Sequence, residues 1–139
     1  MGNRRKSREI VLQVLYEMEI KNTEPKLALQ MYWNGPAQAI EIPDEIRCFA
    51  IDLIEGIYRN KREIDQLVEK HSLHWKLIRM SVVDRNILRL GVYELLYLHD
   101  IPTSVILNEA IEIAKKFGTE DSGSFINGIL DKVAKEVRH

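Results

Sequence analysis

The chain has 139 residues, of which 45% are hydrophobic and 29% charged, and its formal net charge is -1 at pH 7. This length and composition predict a single domain, residues 1–139, with a core of its own. The nearly neutral charge excludes a positive field over the whole molecule, so any affinity for a nucleic acid has to come from a local cluster of cations.

The cysteine content and the N-terminal sequence bear on where the protein is located. Cys48 is the only cysteine, which excludes an internal disulfide and predicts a cytoplasmic protein. The basic start is not typical of a signal or transit peptide, because Glu9, Glu17 and Glu19 interrupt its apolar run. No apolar stretch approaches the roughly 20 residues that span a bilayer, so a membrane location is not expected.

The N-terminal half of the chain shows helical periodicity, with apolar residues three and four positions apart. Asn34-Gly35-Pro36 breaks this pattern, and Asn60 marks a bend. Proline and acidic residues at 43–45 are typical of a helix start. The helices predicted in this half cover about residues 4–20, 25–33 and 43–71, the last with the bend at Asn60.

The C-terminal half is predicted to form three further helices, at about residues 82–99, 102–117 and 121–137. The first of them is apolar on nearly every side, which is typical of a central helix surrounded by others. Gly118 is the predicted C′ residue of the second helix, and Thr119-Glu120-Asp121 is expected to cap the third. Since no strand pattern with a hairpin turn is present, the fold class is all-α with about seven helices.

The first helix begins with four cations, Arg4, Arg5, Lys6 and Arg8. A helix N-terminus carries unpaired N–H groups and the positive pole of the macrodipole, so each cation there costs about 0.3–1 kcal/mol. A polyanion is the simplest partner that would compensate this charge. The alternative is a solvated N-terminus at which the cations only increase solubility.

Two aromatic residues lie beside cations on the helical wheel. Tyr16 lies within about 20° of Arg5 and far from the apolar stripe of its helix, a position suited to stacking on an unpaired RNA base. Phe125 lies at the flank of the last apolar stripe, and Lys132 shares its direction two turns later. Packing on a neighbouring helix is the alternative for Tyr16, and a place at the core boundary is the alternative for Phe125.

Three sequence blocks resemble the NusB family of transcription antitermination factors. They are RE-x-x-LQ-x-LY at 8–16, DRNILRLGVYELLYLHDIP at 84–102 and NEAIEIAKKFGTEDSGSFINGILDKVAKEVR at 108–138. The last block is the most specific, and the resemblance covers nearly the full chain, although residues 21–45 carry no strong family motif. It implies an all-helical fold of two packed helical bundles, with no enzymatic activity and no cofactor.

The resemblance also implies partners and site residues. Family members bind the single-stranded boxA element of nascent ribosomal RNA together with NusE, a small-subunit ribosomal protein, and help RNA polymerase to pass terminators. Asp84 matches an acidic position on the side of the ribosomal-protein partner. The wheel adds Lys132 to the positions implied for RNA binding, which are Arg4, Arg5, Lys6, Arg8, Tyr16, Asp121 and Phe125.

Both acidic positions have a simpler alternative role. Asp84 and Asp121 each lie at the start of a predicted helix, where a carboxylate complements the helix dipole without any partner. A carboxylate near RNA would ordinarily repel phosphate, so a role of Asp121 in RNA binding means accepting a hydrogen bond from a base edge or limiting affinity.

Other classes of function have weaker support. His71 and His74 lack an acidic or cysteine neighbour at ligand spacing, so no metal site is expected, and no motif of phosphate binding or nucleophilic catalysis occurs. A helical protein-binding adaptor without RNA affinity is the alternative function. A peripheral membrane helix ranks last, because the cations stop at Arg8. Apolar positions in the C-terminal half would serve a homodimer as well as a complex with NusE.

Overall fold

The computed structural model describes residues 2–38, 40–73 and 75–138. These residues form seven α-helices and no strand, so the predicted all-α class is confirmed. The predicted helices are all present, with ends that differ by a few residues. Their bounds are α1 Gly2–Lys21, α2 Pro25–Asn34, α3 Asp44–Arg59, α4 Lys61–His71, a 3₁₀ turn Leu77–Arg79, α5 Val82–Tyr97, α6 Thr103–Phe117 and α7 Ser122–Val137.

The helices divide into two compact units, Met1–Arg59 and Asn60–His139. The first unit contains α1, α2 and α3, and the second contains α4 to α7. The bend predicted at Asn60 is the position at which one unit ends and the next begins. Two groups of helices agree with the two bundles that the family resemblance implies.

In the first unit, α1 packs against both α2 and α3. Its buried surface includes Leu12 along with Val11 and Leu15. The hydroxyl of Ser7 donates to the backbone carbonyl of Ile46 on α3 at 2.9 Å. The basic start of α1 is therefore fixed on α3 and does not project freely into solvent.

In the second unit, α5 contacts α4, α6 and α7, as its apolar sequence predicts for a central helix. Gly91 allows α7 to approach closely, since a Cβ there would lie 2.8 Å from Cδ1 of Leu130. The guanidinium of the buried Arg89 pairs with Asp65 on α4, with Nε and Oδ1 2.8 Å apart. This pair joins α4 to α5, and the burial of the guanidinium makes the loss of its carboxylate partner costly.

The end of α6 differs from the prediction. Gly118 has φ -98° and ψ -165°, which is extended and not the left-handed conformation expected of a C′ glycine. Lack of space explains the glycine, because a Cβ would lie 2.9 Å from the carbonyl oxygen of Ala114. The predicted cap is also wrong in detail: Asp121 makes no side-chain cap bond, and the Thr119 N–H donates to Oγ of Ser122 at 2.9 Å.

Arg138, directly after α7, closes the C-terminal end of α5. The last carbonyls of a helix have no intrahelical donor, and here the guanidinium supplies one. It donates at 2.6–3.1 Å to the backbone carbonyls of Glu94, Leu95, Leu98 and Ile101. A single side chain therefore joins the end of α7 to the end of α5 and to the segment before α6.

We expect Arg138→Ala to lower the free energy of unfolding by about 1–3 kcal/mol, because charge-assisted hydrogen bonds at a half-buried site are lost. Urea unfolding followed by far-UV circular dichroism measures this change. Lys135→Ala is the control, since Lys135 pairs with Asp131 only at the surface and should cost about 0.5 kcal/mol or less. Equal losses in the two variants would contradict the role assigned to Arg138.

Candidate functional site

The cations at the start of α1 differ in their surroundings. Arg4 and Lys6 are exposed, and Arg5 is half-buried. The guanidinium of Arg4 lies over the ring of Phe49 on α3, with Cζ 4.3 Å from the ring centroid. An aromatic ring attracts a cation through its quadrupole and does not neutralise the charge, so this end of the first unit keeps positive charge available to an anion.

Arg8 does not belong to the exposed cationic set that the sequence predicts. Arg8 is only 3% exposed, and its Cζ lies 5.8 Å from the centroid of the same Phe49 ring. The helical wheel explains its burial, because Arg8 precedes the buried Leu12 and Leu15 by one and two turns. While α1 is packed in this way, the Arg8 side chain is shielded from solvent and from an external phosphate.

Tyr16 lies on the outer face of α1 and is 42% exposed. Of the two interpretations that the sequence leaves open, this exposure favours contact with an external ligand over packing on a neighbouring helix. Ile20, one turn later on the same face, is also exposed. Helical spacing places Arg5 and the half-buried Glu9 on this side as well, so the face combines an aromatic ring with both signs of charge.

The second unit contains a groove of about 230 Å³ at the start of α7. Three predicted site residues, Asp84, Asp121 and Phe125, line it together. Trp75 and Arg79, from the connector between α4 and α5, add a second aromatic ring and a cation. Rings can stack on a flat group and carboxylates can accept its hydrogen bonds, so the groove suits a planar ligand that carries N–H donors.

Asp84 has a carboxylate oxygen without a partner. Its backbone N–H donates to Oγ of Ser81 at 3.0 Å, which is the N-cap bond of α5. Its Oδ1 is buried, and no hydrogen-bond donor in the described part of the chain reaches it. A buried oxygen without a hydrogen bond costs free energy in the folded protein. Complementing the helix dipole explains where Asp84 lies but not why this oxygen is unpaired.

Lys132 lies outside the groove, two turns beyond Phe125 on the exposed side of α7. Across residues 2–38, 40–73 and 75–138, no carboxylate forms an ion pair with it. Glu136, one turn later, is instead bound by Lys70 at 2.9 Å and His71 at 2.7 Å, both on α4. Hydrogen bonds from Lys70 and His71 lower the pKa of the Glu136 carboxyl. The charge of Lys132 therefore stays available.

The connector between α4 and α5 contains functional candidates that the sequence interpretation missed. Leu73, Trp75 and Ile78 are exposed there, Ile78 to 83%. Helical periodicity stops at residue 71, and the available signal was an aromatic residue in a short connecting segment, where binding residues are common. Of these three residues, Trp75 also lines the groove.

The sequence predicts neither a metal site nor a membrane-spanning segment. The described residues contain no group of three or more His, Cys, Asp or Glu side chains placed to hold a metal ion. His74, the second histidine of the sequence His71-Ser72-Leu73-His74, lies outside the described residues. No helix in the described ranges is both long enough and apolar enough to cross a membrane.

Comparison with known proteins identifies the family of the chain. The model of the NusB family matches residues 5–135. The chain belongs to the NusB family. A relative from Myxococcus xanthus (strain DK1622), named transcription antitermination protein NusB, is 47% identical over 135 residues, which cover 96% of each protein.

Two solved structures extend this similarity to the fold. T. maritima NusB is 41% identical with a TM-score of 0.84, over 96% of this chain and 91% of that one. A chain from a crystal structure of the antitermination factors NusB and NusE in complex with dsRNA is 29% identical with a TM-score of 0.85, over 98% of both chains. The resemblance inferred from the three sequence blocks is therefore confirmed, and with it the NusB fold.

We expect the acid stability of this NusB-family protein to depend on Glu136. The pKa of the Glu136 carboxyl is lowered on folding. Its contribution to stability is therefore fully present above the pKa of a glutamate in the unfolded chain, about 4.3, and is lost as the pH falls through the pKa of Glu136 in the folded protein. Urea unfolding at neutral pH and at about pH 3 measures how much the free energy of unfolding decreases between the two pH values. This decrease should be smaller for Glu136→Gln than for the wild type.

Glu112→Gln serves as the control, because Glu112 pairs with Lys115 only across one turn of the exposed face of α6. This variant should lose stability with falling pH as the wild type does. An acid-side loss in Glu136→Gln as large as in the wild type would show that the contacts of Glu136 with α4 contribute nothing to folding.

Proposed function

We propose that this NusB-family protein is a cytoplasmic, non-enzymatic factor of transcription antitermination that binds the boxA element of nascent ribosomal RNA. In this proposal it acts together with NusE, within the antitermination complex of RNA polymerase. The observation that carries the proposal is the start of α1, where exposed cations lie at the end of a helix that disfavours them. The names of its relatives, and a similar structure of NusB with NusE and dsRNA, support it.

The first unit supplies the part of RNA binding that does not depend on sequence. Arg4, Arg5 and Lys6 contact phosphates, and Lys132 of the second unit contributes a further contact. Each such contact displaces condensed counterions from the RNA, so affinity falls as salt rises. Tyr16 offers its exposed ring to an unpaired base, which is the usual way in which proteins hold single-stranded RNA.

The groove of the second unit supplies the selective part. Phe125 and Trp75 hold a flat base between apolar surfaces, and the Asp121 carboxylate accepts a hydrogen bond from an amino group of that base. A carboxylate repels phosphate, so the groove admits a base edge in preference to the RNA backbone. The Asp84 carboxylate contacts NusE, as expected of the acidic position that the family resemblance associates with this partner.

We expect the affinity for a boxA-like RNA to fall with salt with a log–log slope of about -3, from four phosphate contacts at about 0.7 each. Fluorescence anisotropy with a scrambled RNA as reference, in the presence and absence of NusE, measures it. Arg4→Ala and Lys6→Ala should each reduce the magnitude of the slope by about 0.7, because each removes one contact.

Lys21→Ala is the matched control, since Lys21 lies at the opposite end of α1 and pairs there with Glu17. It should leave the slope unchanged. The alternative function, an adaptor that binds protein but not RNA, is favoured by the exposed apolar connector of the second unit. A slope near zero, combined with retained binding of NusE, would contradict the proposal and support that adaptor.

We expect Tyr16→Ala to weaken RNA binding by about 1–3 kcal/mol, the usual contribution of stacking one base on an aromatic ring. Tyr16→Phe keeps the ring and should retain most of the affinity. Ile20→Ala alters the same exposed face without removing an aromatic ring and serves as the control. Equal affinities of Tyr16→Ala and Ile20→Ala would remove Tyr16 from the RNA-binding surface.

A further inference from the structure

We propose that Phe49 is a positioning residue for RNA binding, which holds the guanidinium of Arg4 ready for a phosphate while leaving its charge available. This inference rests on the proposed RNA-binding function. It adds to that function a residue from α3, a helix to which neither the sequence pattern nor the family resemblance assigns a part in RNA recognition.

The geometry points to Phe49 because two arginines meet on its ring. Cζ of Arg4 lies 4.3 Å and Cζ of Arg8 lies 5.8 Å from the ring centroid. The hydrogen bond from Ser7 to the carbonyl of Ile46 fixes this turn of α1 against the same part of α3. The ring and the two guanidinium groups therefore belong to one packed contact within the first unit.

The electrostatics explain why an aromatic ring suits this place. Two cations one helical turn apart repel each other, and the negative face of the ring offsets this repulsion. A carboxylate would offset it as well, but it would also cancel the charge that a phosphate needs. In the described part of the chain, Arg4 forms no ion pair with a carboxylate and contacts the Phe49 ring.

The second reason why an aromatic ring suits this place is that it orders the Arg4 side chain. A long arginine side chain loses rotamer freedom when it contacts a phosphate, and that loss weakens binding. A guanidinium already held on a ring has lost part of this freedom before the RNA arrives. Lys6 is exposed and has no such ring contact, so Arg4 should contribute more to affinity than Lys6 although both carry one charge.

A double-mutant cycle between Arg4 and Phe49 tests the inference, with RNA affinity measured by fluorescence anisotropy on the full chain. Phe49→Leu should weaken binding about two- to fivefold, the equivalent of a cation–π contact of about 0.5–1 kcal/mol. In the Arg4→Ala background the same change should have little further effect. Phe49→Tyr keeps a ring and should restore the affinity.

The matched control is Phe117→Leu, which removes a half-buried ring from another cation–π pair. Nζ of Lys116 lies 5.4 Å from the centroid of Phe117, within the second unit. Its RNA affinity should equal that of the wild type. A loss as large as in Phe49→Leu would mean that removal of any such ring weakens binding, which would overturn the inference.

A measurement on the free protein keeps the inference testable even if a variant fails to fold. In the free wild type, the side-chain Nε–Hε resonance of Arg4 should show a ring-current shift. During titration with boxA-like RNA it should move progressively towards its RNA-bound position. An Arg4 resonance at the position of a solvated arginine would overturn the inference. So would independent, additive losses in the cycle.

The outcomes separate the inference from the proposed function. If the wild type binds RNA and Arg4→Ala weakens binding, but Phe49→Leu does not, only the role of Phe49 is wrong. If the wild type binds no RNA at any salt concentration, both the proposed function and the role of Phe49 fail.

Discussion

The packing of the first turns of α1 on α3 is the constraint on which the remaining account depends. Cations at a helix N-terminus oppose the macrodipole, and without support they would fray that end of the helix. Here the Ser7 hydroxyl is bonded to α3, Arg8 is buried and Arg4 lies over Phe49. Packing therefore keeps an unfavourable charge in a fixed place, which a helix selected for stability alone would not need.

The two units present surfaces of different chemistry. The first combines exposed cations with the exposed ring of Tyr16, and long-range attraction to phosphate suits it. The groove of the second combines aromatic rings with two carboxylates, one of which keeps an unpaired buried oxygen. Separate sets of residues would thus carry two kinds of interaction: phosphate attraction, which does not depend on RNA sequence, and hydrogen bonding to bases, which does. This division is common in nucleic-acid recognition.

Local sequence patterns were sufficient for the helices and for the direction of single side chains. The apolar character of α5 predicted its central position, and the wheel predicted that Tyr16 lies away from the core. The burial of Arg8 was not expected because its charge was weighed without its direction, although the wheel places it beside Leu12 and Leu15. A count of cations along the chain does not distinguish an exposed arginine from a packed one.

Contacts between distant segments could not be predicted in the same way. The groove forms only because the connector after α4 brings Trp75 to Asp84 and to the first turn of α7. The contact between Arg4 and Phe49 likewise joins two helices far apart in the sequence. Gly118 shows the same limit, since steric contact with Ala114, and not its backbone conformation, accounts for a glycine there.

Chemical-shift mapping of the backbone amides during titration with a boxA-like RNA is the most direct test of RNA binding by the start of α1, because it reports on all segments of the chain at once. We expect residues 3–8 and Tyr16 to shift together, at RNA concentrations that rise with added salt. Shifts confined to other segments, or shifts at residues 3–8 that do not respond to salt, would contradict the claim that the start of α1 binds an anionic strand.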